Sequence, residues 1–151
     1  MTEPAPGIEL RLQLRRTNFA LDVALSLPAQ GVAVVFGPSG SGKSTLLRAI
    51  AGLEPTARGL VRIGEETWQD AHVRLPPHRR RAGVVFQHAA LLPHLSVHDN
   101  LRYGWRRAGA PANAMQEWID KLALGPLLRR PPDTLSGGER QRVALGPALV
   151  C

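Results

Sequence analysis

The run Gly37-Pro38-Ser39-Gly40-Ser41-Gly42-Lys43-Ser44-Thr45 has the residues needed to cradle phosphate groups. It fits the pattern G-x-x-x-x-G-K-[ST] at every fixed position. The glycines let the backbone turn tightly with its N–H groups pointing inward, and anionic oxygens fill such a concavity. Lys43 would reach the outer phosphates as a point charge, and the Ser44 hydroxyl would ligate a magnesium ion. A chance glycine-rich turn would lack the flanks that this loop has. Val32-Ala33-Val34-Val35-Phe36 is a continuous apolar run, as expected of a strand buried on both faces. After the loop, Leu46, Leu47, Ile50 and Leu53 are expected on one helical face, so the phosphates would sit at a helix N-terminus.

A second group with chemical meaning is Leu135-Ser136-Gly137-Gly138-Glu139-Arg140-Gln141, which leads into a helix through Val143 and Leu145. Ser136 and Glu139 form a Ser-x-x-Glu capping box, a device open to any helix. Two consecutive glycines directly after the cap are harder to explain that way, because each costs about 1 kcal/mol relative to Ala inside a helix. They make sense where the backbone must approach something closely, and a helix N-terminus favours an anion. A phosphate-binding role is the better reading.

The elements that must position these groups follow from periodicity. Ile8, Leu10, Leu12 and Leu14 alternate with Glu9, Arg11 and Gln13, and Leu21, Val23, Leu25 and Leu27 alternate with Asp22, Ala24 and Ser26. This predicts an antiparallel pair turning at Thr17-Asn18. Gly59 to Gly64 is a third short strand, and Gly83-Val84-Val85-Phe86 a further buried strand that ends at Gln87. From Ser96 the pattern turns helical, with Asp99 completing a capping-box-like start before Asn100-Leu101-Arg102-Tyr103. Pro111 to Leu124 is another helix, with Met115, Trp118, Ile119 and Leu122 on one face and Gly125-Pro126 as its stop. Pro147 falls where the last helix should continue and is expected to kink or end it.

With 151 residues and 44% hydrophobic residues, the chain has room for one domain with a sizeable core. No apolar run approaches the ~20 residues that cross a bilayer, and Met1 to Gly7 carries Glu3 and two prolines rather than a signal peptide. The single cysteine, Cys151, cannot form an internal disulfide. These features predict a cytosolic protein. The net charge of +7 would suit nucleic acid, but all basic residues except Lys43 and Lys121 are Arg. The Arg pairs and triplets are spread along the chain without interleaved aromatics, so a solvated basic face, or one near an anionic membrane, is expected and no nucleic-acid partner.

With these motifs in order, the chain resembles the ATP-binding subunits of ABC transporters: the phosphate loop from Gly37 to Thr45, Val85-Phe86-Gln87 as the Q-loop, and Leu135 to Gln141 as the signature. Leu75-Pro76-Pro77-His78-Arg79-Arg80, Leu92 to Val97 and Asn100 to Gly104 look like the ATPase subunit of molybdate importers, and related ATPases for sulfate, spermidine or iron share much of this. The resemblance implies an α/β fold, a P-loop NTPase with an antiparallel β subdomain and a helical subdomain. It divides the chain into residues 1–87 (β subdomain and P-loop core), 88–135 (helical subdomain) and 136–151 (signature helix). It implies ATP and Mg2+ as cofactors, held by Gly37, Pro38, Ser39, Gly40, Ser41, Gly42, Lys43, Ser44 and Thr45. Gln87 would sense the metal and the attacking water, Ser44 and Gln87 would serve the metal, and Ser136, Gly137 and Gly138 would contact the γ-phosphate held on the opposite subunit.

The implied partners are a second ATPase subunit, head to tail, and a membrane permease subunit, placing the protein on the inner face of a bacterial plasma membrane. His88 to His98, with Ala89, Ala90, Leu91 and Leu92, would line the groove for a short helix of that permease, although ordinary core packing explains these apolar residues equally. The family also places an Asp-Glu strand and a later histidine after the signature, whereas His72, His78, His88, His94 and His98 all precede it. The C-terminal part of the core is therefore expected to be missing, leaving Val32–Phe36 and Gly83–Phe86 with unpaired edges. Phe19 is the only candidate in the first thirty residues for the family's adenine-stacking aromatic, and core packing is as good a reading of it. An ABC-type ATPase without a membrane partner, or a nucleotide-binding fragment with no activity, stays open as an alternative, and hydrolysis by this truncated chain alone is not expected. The short span from Gln87 to Ser136 argues against the long coiled-coil insertions of the DNA-repair type. A P-loop kinase or other NTPase is disfavoured by the signature.

Overall fold

The computed structural model describes residues 7–87 and 91–149, with no statement on the side chains of residues 112 and 113. The chain divides into two compact units, Met1–Arg80 and Arg81–Cys151.

The first unit is built on a four-stranded antiparallel sheet in the order β2-β1-β3-β4. Strands β1 (Ile8–Arg16) and β2 (Phe19–Leu27) pair from Ile8 opposite Leu27 to Arg16 opposite Phe19, so the turn is Thr17-Asn18. Strand β3 (Arg58–Ile63) pairs with the free edge of β1, placing Leu10 opposite Val61. The alternation in β1 is realised: Leu10, Leu12 and Leu14 are buried, while Arg11 and Gln13 face solvent. Outward-facing Glu9 takes ion pairs from Arg11 and, across the ladder, from Arg62. A fourth strand, β4 (Glu66–Gln69), was not signalled by the sequence pattern; it brings Trp68 and Gln69 into the interior, with a register shift at Val61/Arg62. Its four residues are too few to show a period above the polar background.

Helix α1 (Lys43–Ile50) follows the glycine-rich loop. Its inward face is Leu46 and Ala49, continued by Ala51, whereas Leu47 is exposed and Leu53 lies beyond the helix end. This corrects the expectation of one apolar face comprising Leu46, Leu47, Ile50 and Leu53. At 100° per residue Leu47 cannot share a narrow stripe with both Leu46 and Ala49.

The second unit is helical. Helix α2 (Val97–Ala108) starts at Ser96, whose side chain accepts the Asp99 N–H, and ends at Gly109 in the left-handed conformation. Helix α3 (Ala112–Lys121) and single 3-10 turns at Gly125–Leu127 and Pro132–Thr134 lead to α4 (Gly137–Ala148). Val97, Leu101, Ile119, Leu124, Leu127, Leu135 and Val143 form one buried cluster, with Met115 and Leu122 packed on it. Helices α2 and α4 approach closely at their glycines: a Cβ added to Gly104 would lie 2.5 Å from Pro147 Cβ, and one added to Gly146 2.8 Å from Leu101 Cδ2. Pro147 is accommodated one residue before the end of α4, so it ends the helix rather than kinking its middle.

The two apolar runs expected to be strands are not strands. Residues 32–36 and 83–86 form no ladder with any described segment. Val32 is 93%, Val34 81% and Phe36 97% exposed, the opposite of the expected burial. The physical reason is pairing: an antiparallel strand finds its neighbour across a short turn, but a parallel one needs partners from distant segments, and none among the described residues is offered to these runs.

Candidate functional site

The glycine-rich loop expected to hold phosphate has a defined conformation. Ser39 and Gly40 make a turn in which the Ser41 N–H donates to Pro38 O at 3.3 Å. Gly42, which precedes α1, has φ 93 and ψ 8, a left-handed conformation that side-chain-bearing residues rarely adopt. A second constraint acts on the same residue, because a Cβ added to Gly42 would lie 2.6 Å from Phe19 Cζ. The Phe19 ring is thus seated against the base of the loop, half-buried at the start of β2.

Lys43, Ser44 and Thr45 lead the helix, and the first N–H absorbed by the ladder is that of Leu46, on Gly42 O at 2.8 Å. The preceding N–H groups of the first turn are left to serve an anion. Lys43 Nζ donates to Gly37 O at 2.9 Å and to Pro38 O at 2.7 Å, so its ammonium is held over the loop by the loop's own carbonyls. Pro38, Ser39, Gly40, Ser41 and Ser44 are exposed, whereas Gly37, Gly42, Lys43 and Thr45 are half-buried. The donor set fits a polyphosphate: an ammonium, open helix N–H groups, and Gly40 at φ 80 with nothing within 4 Å of an added Cβ. The exposed Ser44 hydroxyl beside Lys43 is a fitting oxygen ligand for a divalent ion at those phosphates.

Two buried charged residues hold the far end of α1, and sequence reasoning missed both as working parts. Arg80 donates from Nη1 to Ala49 O (3.2 Å) and Ile50 O (2.6 Å), from Nε to Leu75 O (3.0 Å), and from Nη2 to Gln69 Oε1 (3.1 Å). It thereby satisfies carbonyls at the C-terminus of α1, where a cation is favoured. Desolvation, and secondarily the charge of Arg74, lower its pKa from the usual arginine value. Glu54, in the turn after α1, accepts Arg48 Nε at 2.8 Å and Arg16 Nη2 at 2.5 Å. The position of Arg80 inside a quoted motif was a signal; that of Glu54 carried none.

In the second unit, Gln87 is exposed and directly follows the apolar run 83–86. His88, Ala89 and Ala90, part of the expected docking groove, lie outside the described residues. Of the groove residues that are described, Leu91 packs on the helical cluster. Leu92 is held by its backbone: its N–H donates to Asn100 Oδ1 at 2.7 Å, while Asn100 Nδ2 donates to Leu92 O, Leu95 O and Ser96 O. Asn100, buried on α2, thus ties down the loop that would carry a docking surface.

The signature residues form a complete capping box at the start of α4. Ser136 N–H donates to Glu139 Oε2 at 2.8 Å and Ser136 Oγ accepts the Glu139 N–H at 3.3 Å. The Ser136 backbone N–H foremost, then its hydroxyl and the charges of Arg130 and Arg142, lower the Glu139 pKa below the usual carboxylate value. Gly137 and Gly138 are exposed, and a Cβ at either meets nothing within 4 Å. Packing within the described residues therefore does not require these glycines. Among the described residues no group of three or more His, Cys, Asp or Glu is placed to hold a metal, and no helix is long and apolar enough to cross a membrane.

Residues 20–151 match the family described as ABC transporter. The chain is 54% identical to the molybdenum import ATP-binding protein ModC of Thiobacillus denitrificans over 95% of its own length and 40% of that protein. It is 50% identical to ModC of Rhodobacter capsulatus, again over 95% of this chain and 40% of the relative. The chain thus spans about 40% of the length of these curated relatives. A solved ATP-binding subunit of an ABC transporter superposes with a TM-score of 0.72 at 22% identity, covering 95% of this chain and 61% of that one, a likeness of fold.

Proposed function

Because the chain belongs to the ABC transporter family, we propose that it is the nucleotide-binding part of an importer ATPase, coupling ATP binding and hydrolysis to uptake of an oxyanion such as molybdate. The observation that carries the reading is the formed phosphate loop, with Lys43 Nζ poised 2.9 Å from Gly37 O and 2.7 Å from Pro38 O over an open helix N-terminus. The substrate class rests on the relatives named as molybdenum import ATP-binding proteins.

In this proposal Gly37 to Thr45 bind the triphosphate: the backbone of Pro38 to Gly42 wraps it, and Lys43 exchanges loop carbonyls for phosphate oxygens. Ser44 and Gln87 would hold Mg2+, whose charge neutralises the outer phosphates when bound. Gln87 would also orient the attacking water. Ser136, Gly137 and Gly138 would close over the γ-phosphate of a second, head-to-tail subunit, a role that suits their exposure at the start of α4. The segment from His88 to His98 would receive a short helix of a membrane permease, which places the protein on the cytoplasmic face of a bacterial plasma membrane.

Titration with a fluorescent ATP analogue tests the reading. Lys43→Ala removes a charge-assisted contact of about 1.5–3 kcal/mol, so affinity should fall about tenfold to a hundredfold. Equal binding by wild type and variant would reject the loop as a triphosphate site. Recovery of the chain with membranes that contain the permease, lost on charge substitution at Leu92 or Leu95, tests the docking surface.

A further inference from the structure

Glu54 is the one carboxylate among the described residues that is nearly withdrawn from solvent, at 5% exposure, and it belongs to neither motif. A buried carboxylate costs free energy unless it is paired, and replacing such ion clusters by apolar residues is often neutral or better for stability. Its geometry suggests that it acts on position. One oxygen accepts Arg48 Nε at 2.8 Å, in the last turn of α1. The other accepts Arg16 Nη2 at 2.5 Å, at the last residue of β1. Arg16 stands opposite Phe19 in the ladder, and the Phe19 ring lies against Gly42, the residue that turns the phosphate loop into α1. These contacts close a ring: Gly42 on Phe19, Phe19 beside Arg16, Arg16 on Glu54, Glu54 on Arg48, and Arg48 back along α1 to Gly42.

We propose that Glu54 is a positioning residue for the phosphate loop, clamping the β1–β2 hairpin to α1 at the spacing that seats Phe19 beneath Gly42. It touches no phosphate itself. Without it the hairpin end is free to move from α1, the Gly42 backbone loses its support, and the inward-facing N–H groups lose their common focus. Binding sites lose affinity when a supporting contact lets them loosen by fractions of an ångström. The inference rests on the reading of residues 37–45 as a triphosphate site.

The test is nucleotide affinity, measured with the fluorescent ATP analogue on the full chain, with the unfolding midpoint measured in parallel. Glu54→Gln should weaken binding about tenfold while the protein still unfolds cooperatively. Phe19→Ala should also weaken it, and the double variant should bind no more weakly than the weaker single one, because both act through one hairpin. Unchanged affinity in Glu54→Gln, or losses that simply add in the double variant, overturns the proposal. If Glu54→Gln does not fold, Arg16→Gln cuts the hairpin side of the same bridge from a half-exposed position and is scored identically. Lys43→Ala separates the two readings. If it binds as tightly as wild type, or wild type does not bind, the triphosphate site falls and this proposal with it. If it weakens binding and Glu54→Gln does not, only the positioning role is rejected.

Discussion

Strand β1 and the segment 32–36 are both short apolar stretches of the same unit, yet Leu12 on β1 is fully buried and Phe36 is almost fully exposed. β1 lies between β2 and β3, so both its edges are hydrogen-bonded and its leucines share one covered face. Residues 32–36 have more β-branched side chains, and so the higher strand propensity, but no paired neighbour among the described residues. The comparison teaches that a strand is a relation between segments. Residue preference selects who can join a sheet, and ladder partners decide who does.

Amide hydrogen exchange gives the largest expected effect and could break the comparison outright. Leu12 and Leu14 amides should open only with global unfolding, at about 5 kcal/mol or more, and so exchange at least about a thousandfold more slowly than those of Val34 and Val35. Comparable protection in both segments would mean that 32–36 has a partner. Side-chain truncation sharpens the contrast. Leu12→Ala should cost about 2–5 kcal/mol in urea unfolding, whereas Val34→Ala should stay within about 0.5 kcal/mol. A large loss at Val34 would show that its side chain is buried in solution.

Gly42 lies between the two regimes, with the unpaired run before its loop and the packed α1 after it. Gly42→Ala forces a side chain into φ 93 and against Phe19, so it should destabilise the unit by about 1–3 kcal/mol. It should also weaken binding of the ATP analogue. Wild-type stability and binding would show that the loop is not held from the packed side.

The smallest effects belong to devices that need no distant partner. Ser96→Ala, which removes the N-cap of α2, should cost about 1 kcal/mol. Asp99, next to it, has its pKa lowered mainly by the Ser96 hydroxyl, and Glu139 mainly by the Ser136 N–H. For a carboxylate with a lowered folded pKa, the stabilisation is present above its unfolded value and is lost as pH falls through the folded one. The urea midpoint should therefore decline below about pH 4. Asp99→Asn and Glu139→Gln should each flatten that decline, and an unchanged acid profile in both would rule out the capping carboxylates as its source.

The sequence by itself determined whatever closes over a few residues. The Thr17-Asn18 hairpin, the phosphate loop, the Ser96 start of α2 and the capping box at Ser136 and Glu139 were legible because each is satisfied within one turn of chain. The order of motifs was equally legible, and with it the family. Tertiary structure alone decided the rest. It turned Ala49 inward rather than Leu47, added β4 beside β3, and gathered Arg16, Arg48 and Glu54 into one contact. Those outcomes depend on segments tens of residues apart meeting at the right distance and angle, and local residue preference carries no record of that meeting.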